Sequence, residues 1–297
     1  MDTRLMTRIE AMAPARAVGS RLARLATALL LSGAAGIAFA AGADAAGGGA
    51  DDTGPTGDPL VVSLDFVVPE YQAGAKFRSP ATIDSALAGD LAKRLGRPLA
   101  VTGPLPGSDG ATSDAGDQAA SSADLRITTV ADLGVVPATY AAIPLDYRAA
   151  PMAIMRTDST IRRWEQLRDR KVCVAQGGDH VGDIAGRYGA VEVVHPSPTD
   201  ALVALRVGDC DAMVHDSVML EELIRFPEWK KFSRRLPPRP RSTLAVLVPQ
   251  RDTEATSRVQ AIVDEWKAER FAAGLVRNAV RNIAFEVYLE QDVPDCH

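Results

Sequence analysis

The sequence has no surplus of positive charge: 33 Lys and Arg stand against 38 Asp and Glu, a net −5 over 297 residues. That balance gives no footing for a nucleic-acid partner. Only four histidines are present, and neither H-x-x-x-H nor H-E-x-x-H occurs. A metal site built from His180, His215 and nearby acids therefore has no ligand spacing behind it. No internal repeat is visible. No nucleophile stands beside an evident base, so covalent catalysis lacks a constellation, and no cofactor is implied. Cysteine is scarce too: with only Cys173, Cys210 and Cys296, one is left over whichever two pair. What remains, 46% hydrophobic and 24% charged, is ordinary globular composition. The length suits one large domain or two lobes with their own cores.

The N-terminus reads as an address. Arg4, Arg8, Arg16, Arg21 and Arg24 precede the apolar run "LATALLLSGAAGIAFA", which ends in Ala38-Phe39-Ala40. A basic segment, a short apolar segment and an A-x-A site predict a secretory signal over 1–40. The run is Ala/Gly-rich and short for a membrane span, and no Cys follows to carry a lipid. The expected product is an acidic periplasmic protein without stable membrane insertion, acting as a monomer, its cysteines in an oxidising compartment. Residues 41–58, rich in Gly, Ala and Asp, read as a tether. Residues 104–123 have no periodicity and read as a mobile surface loop.

Between these stretches the pattern is regular. "LVVSL" at 60–64 is an apolar β-run. Ile83, Leu87, Leu91 and Leu95 recur at helical spacing up to Gly96. "PLAVTG", "DLRITTV" and "MAIMR" read as strands. From 157 onward helices and strands alternate: "TDSTIRRWEQLRD" as a helix capped by Asp158 or Ser159, then "KVCVAQGG", "DHVGDIAGRYG", "VEVVH", "SPTDALVALRVG", "DAMVHD" and "SVMLEELIRF". Ser197, Pro198 and Asp200 form a capping pattern. "STLAVLVP" is a further strand, and "TEATSRVQAIVDEWKAERFAAGLV" a long amphipathic helix. Such alternation predicts βαβ units and an α/β fold with parallel sheet.

In an open parallel sheet, ligands sit beyond the C-terminal strand ends, where helix N-termini favour anions. Two segments reach that edge: Gln176-Gly177-Gly178-Asp179-His180 after "KVCVA", and His215-Asp216-Ser217 after "DAMV". The glycines either make a turn or let backbone N–H groups approach a ligand. Asp216 either faces the crevice or only caps the next helix.

Several segments carry a resemblance to the family 3 periplasmic solute-binding proteins of amino-acid ABC transporters. "LVVSLDFVVPEY" resembles the first strand and cleft loop, with Asp65, Pro69 and Tyr71 along it. "TIDSALAGDLAKRLG" resembles the first helix, with Asp84 at the motif acid. "MAIMRTDSTIRRWEQLRDRKVCVAQGG", "ALVALRVGDCDAMVHDS" and "RVQAIVDEWKAERFAAGL" resemble the crossover strand and glycine turn, the strand with the ligand-facing acid, and the C-terminal helix.

The resemblance implies two α/β lobes of mostly parallel sheet, joined by two crossover strands and closing on a ligand. Lobe one would span 59–150 and lobe two 151–244. Residues 245–297 would return to pack on lobe one. It implies a small polar ligand, an amino acid or organic acid, delivered to an inner-membrane ABC permease without catalysis. Asp216 would take the ammonium group, with Gly177, Gly178, Tyr71, Asp65, Arg78 and His215 around it. The match departs where the family places a carboxylate-binding Arg: no Arg follows Pro137 until Arg148, leaving Lys76, Arg78 or Arg148 as substitutes. Asp179 stands where Ser or Thr is usual, and would repel a carboxylate unless turned away. Two other readings stay open. One is an accessory protein of a periplasmic quinoprotein dehydrogenase. The other is a dehydratase using Asp179, Asp216 or Glu70 as acid.

Cys173 and Cys210 fall at the starts of neighbouring strands, away from the cleft, where a disulfide is expected. The alternative pairs Cys296 with one of them. No basic partner is apparent for any thiol.

Overall fold

A run of apolar residues starts the first sheet. In β1 (Leu60–Leu64), Leu60, Val62, Ser63 and Leu64 are buried and Val61 is half-buried, which fits an interior strand of a sheet covered on its faces. The computed structural model describes residues 57–67, 76, 78, 82–103 and 123–290. The expected signal segment 1–40, most of the expected tether, Tyr71, Glu70, Cys296 and almost all of 104–123 lie outside these residues.

β1 pairs in parallel with β2 (Leu99–Thr102) and with β3 (Leu125–Val130). β4 (Tyr140–Ala149) and the later β10 (Ser242–Pro249) complete the sheet antiparallel, in the order β2-β1-β3-β10-β4. Helix α1 (Ile83–Leu95) lays Leu87, Ala88, Leu91 and Ala92 against this sheet and ends on Gly96 at φ 68, a left-handed stop that glycine adopts freely.

One residue, Ala150, separates β4 from β5 (Pro151–Met155), where the chain crosses into the second sheet. There β6 (Lys171–Ala175) lies parallel to β7 (Val191–His195) and to β8 (Ala212–Asp216). β5 and the two-residue β9 (Arg234–Arg235) run antiparallel, in the order β7-β6-β8-β5-β9. Each sheet is thus mixed rather than mostly parallel: the βαβ units give three parallel strands, and the crossover strands join them antiparallel. The chain returns to the first sheet through β10.

Three helical expectations need correction. Residues 157–169 form no α-helix but a turn and a 3-10 segment, Trp164–Leu167. Ile161, Trp164 and Leu167 are all buried. Their spacing of three matches a 3-10 repeat rather than an amphipathic α-face. Helix α2 (Asp183–Tyr188) begins later than "DHVGD" suggests, after Gly182 at φ 82, which leaves Asp179 and His180 in the preceding turn. The C-terminal run is two helices, α5 (Thr253–Glu269) and α6 (Phe271–Leu289), broken at Arg270 with φ 54.

α3 (Pro198–Val207) and α4 (Ser217–Leu223) cover one face of the second sheet. Ser197 accepts from the Asp200 N–H, as a capping residue should. α2 and the 3-10 segment around Trp164 cover the other face. α5 packs on the first sheet. α6 instead lies against α3 and α4 as well as α1, so its buried Val276, Val280 and Ile283 join apolar surface from both lobes. No described helix is long and apolar enough to cross a membrane.

Candidate ligand-binding site

The C-terminal ends of β1, β3, β6 and β8 and the N-terminal end of α1 converge on one cavity of about 100 Å³. Gly177, Gly178, Asp179 and His180 line it from the turn after β6, and His215 and Asp216 from the end of β8. Asp65 follows β1, Thr128 and Thr129 belong to β3, and Thr82 and Asp84 start α1. The two polar segments singled out after "KVCVA" and "DAMV" therefore share one hollow, with the first lobe as its opposite wall.

Asp216 begins α4 by position, but its carboxylate makes no cap hydrogen bond. It accepts instead from the Tyr147 hydroxyl at 2.6 Å and sits 3.0 Å from His180 Nε2. Burial works against the Asp216 anion, yet His180, His215 and Tyr147 prevail and hold its pKa below the usual carboxylate range. The same burial, with Asp216 opposite, pushes the Tyr147 hydroxyl well up, so it remains a donor. His215 Nδ1 accepts the Asp216 N–H at 2.7 Å. Burial, reinforced by His180, lowers the His215 pKa against the pull of Asp216.

The other acids are less content. Asp84 is pushed up to about 6, chiefly by burial, with Asp65 adding to it against the hydrogen bonds from Ser85 and Thr82. Asp179 is exposed as a whole residue, but partial burial of its carboxyl and the nearby Asp216 raise its pKa despite the bond from Thr129. Asp65 accepts from Thr128 Oγ1 at 2.5 Å and from Arg126 at 3.0 Å.

Two contacts cross the cavity mouth. Thr129 Oγ1 donates to Asp179 Oδ2 at 2.6 Å, joining β3 to the turn after β6. The Phe66 ring lies on Gly177, which has φ 77; a Cβ there would enter the ring. Glycine is required on both counts.

No protein-family model and no curated protein matches the sequence. Solved structures do match. A mutant of ArgBP from T. maritima superposes with a TM-score of 0.50 at 20% identity, over 75% of this chain and 95% of that one. AbpA from Streptococcus pneumoniae, an amino acid ABC transporter substrate-binding protein solved with L-arginine, gives 0.50 at 18% identity, over 76% of this chain and 96% of that one. The chain has the fold of these binding proteins.

Within that two-lobed fold, the substitute cations go elsewhere. Arg78, expected near the ligand, instead holds Asp200 Oδ1 through Nε and a terminal nitrogen at 3.0 and 2.8 Å, and reaches Glu290 at 3.1 Å. A paired fork of this kind satisfies the guanidinium, and Arg78 does not line the cavity. Lys76 pairs with Glu290. Arg148 donates to Thr243 Oγ1 at 3.2 Å across the β4–β10 pair. Among the described residues, the cavity lining contains no Lys or Arg. Tyr71 lies outside the described residues. Thr128 and Thr129 escaped the sequence reading, although "RITTV" places them at a C-terminal strand end, the position that should have marked them.

Cys173 and Cys210 form a disulfide. It ties β6 to the entry of β8, the two strands that deliver the second lobe's polar segments. His195 Nε2 lies 3.1 Å from Cys173 Sγ, a basic neighbour that sequence order hid. Together these three are the one set of three potential metal ligands gathered among the described residues, and the disulfide occupies two of them.

Proposed function

We propose that the chain is an extracytoplasmic solute receptor. It encloses one small polar solute between its lobes and presents it to an ABC permease, without turnover. The observation that carries this reading is the cavity at the facing strand ends, bridged by Thr129–Asp179 and Phe66–Gly177. Both bridges join one lobe to the other, and both separate if the crossovers at Ala150 and before β10 let the lobes swing apart. The arginine bound by AbpA supports a polar amino compound as the class of ligand. The signal-like N-terminus supports export. No observation favours a quinoprotein dehydrogenase partner or a dehydratase reaction.

A thermal-shift panel of amino acids, amines and small organic acids tests the reading. At least one compound should raise the melting temperature saturably, since ligand at a hundred times its Kd adds about 2.7 kcal/mol. Small-angle scattering of the same sample should show contraction or tightening. Folded protein that answers to no compound would overturn the proposal.

A further inference from the structure

We infer that the cavity selects a solute of net positive charge with cationic groups at both ends, an aliphatic diamine or guanidino-amine, over zwitterionic and acidic amino acids. The inference rests on the receptor reading and narrows it. Its ground is the charge inventory of the two walls. Asp65 and Asp84 face the cavity from the first lobe, Asp179 and Asp216 from the second. The candidate cations for a carboxylate are committed elsewhere: Arg78 to Asp200 and Glu290, Lys76 to Glu290, Arg148 to Thr243. Arg126 pairs with Asp65 from outside the lining. Asp179, which would have to turn away for a carboxylate to dock at the glycine turn, instead lines the cavity.

The arrangement favours an extended organic cation over a metal ion. No three of these carboxylates and histidines bring ligand atoms within 4.8 Å of one another among the described residues. A divalent ion needs convergent ligands at bonding distance. Acids spread over two walls suit a molecule with charge at each end. Ile83, Ala175, Pro198, Met219 and Leu244 also line the cavity and offer apolar surface to a methylene chain. The raised pKa of Asp84 agrees: no cation offsets its burial, and an ammonium group would supply one.

Calorimetric titration of the full secreted chain with putrescine, agmatine, L-arginine and L-glutamate at low salt tests this. Agmatine is arginine without its carboxylate, so it should bind at least about tenfold tighter than L-arginine, with L-glutamate silent. Binding should also strengthen from pH 5.5 to 7.5 and release protons to the buffer, as Asp84 ionises near 6 beside Asp65, Thr82 and Ser85. Asp84→Asn should weaken putrescine binding by about tenfold while its unliganded melting temperature does not fall. Glutamate binding more tightly than agmatine would overturn the charge assignment and leave the receptor reading standing. An unchanged putrescine affinity in folded Asp84→Asn would do the same. Silence from all four compounds and from the wider panel would overturn both.

Discussion

Asp84 in the first lobe and Asp216 in the second face the same cavity, yet burial wins at one and hydrogen bonding at the other. Asp216 has His180, Tyr147 and His215 around it, and its charge is welcome. Asp84 has a backbone N–H, Thr82 and a repelling Asp65, and its pKa stands near 6. The scaffolds differ in the same sense. The second lobe buries both faces of its sheet and joins β6 to β8 through Cys173–Cys210. Both sheets leave apolar residues exposed on an edge strand, Leu99 and Val101 on β2 and Val191 and Val194 on β7, but no disulfide joins the described strands of the first lobe. The second lobe therefore holds a satisfied anion on a fixed frame, while the first brings an unsatisfied one to meet it.

Breaking the frame of the second lobe should have the largest effect. Cys173→Ala with Cys210→Ala releases a loop closed over a separation of 37 residues, which loop entropy values at about 4 kcal/mol. Denaturant unfolding should show that loss, and native-state hydrogen exchange should place the loosening in β6 and β8 rather than β1 and β3.

The contrast between the two acids comes next. Asp84 ionises near 3.8 unfolded and near 6 folded. Well below pH 3.8 it is protonated in both states and costs nothing. As pH rises to 6 the unfolded chain sheds the proton first, and folding is progressively penalised. Above 6 the full difference applies, up to about 3 kcal/mol, less whatever the α1 N-terminus returns to the anion. Asp84→Asn should therefore stabilise the protein most above pH 6, little at pH 4, and not at all well below pH 3.8. Asp216 has the opposite sign. Its lowered pKa adds stability above the unfolded value, lost as pH falls, so Asp216→Asn should destabilise at neutral pH. Chemical denaturation of both variants at pH 4 and 7.5 reads the crossing; two curves of the same sign would end the comparison.

Legibility in the sequence followed locality. The α3 cap at Ser197, the stops at Gly96, Gly189 and Gly208 and the β-runs at 171–175 and 212–216 are written in adjacent residues, and the structure keeps them. So is the approach of Cys173 to Cys210, which follows once β6 and β8 are neighbours. What failed depended on distant partners. Arg78 is drawn to Asp200, 122 residues away, and to Glu290, 212 away, and nothing near position 78 announces either. Arg270 breaks the last helix with φ 54 although it is not glycine, so no breaker marks the spot. The Trp164 segment satisfies a helical pattern by eye, but its buried residues keep a period of three. The orientation of Asp179 into the cavity depends on Thr129 across the cleft, which no reading of the glycine turn alone could supply.

Gly177→Ala probes the contact between lobes. The left-handed backbone costs an alanine roughly 1–2 kcal/mol, and the Phe66 ring must also move. Solute affinity should fall as the Phe66 side of the mouth opens. Adding Phe66→Ala should recover part of the loss, because it removes the collision while leaving the backbone strain. If the double variant binds no better than the single one, the ring is not what glycine serves.

Thr129→Val is the gentlest break. It keeps the shape of β3 and deletes the hydroxyl that bridges to Asp179 at 2.6 Å. A hydrogen bond to a charged group contributes about 1.5–3 kcal/mol when buried, and less at this exposed rim, so about 1 kcal/mol is expected. Where the loss appears decides which lobe the bond serves. If it only stabilised the first lobe, denaturation would report the whole deficit and solute affinity would not change. If it latches one lobe to the other, unfolding of the empty protein should barely shift. The deficit should then appear in the bound state, as a roughly fivefold faster solute release, because Asp179 in the second lobe loses a hydroxyl partner across the cleft when the lobes are together.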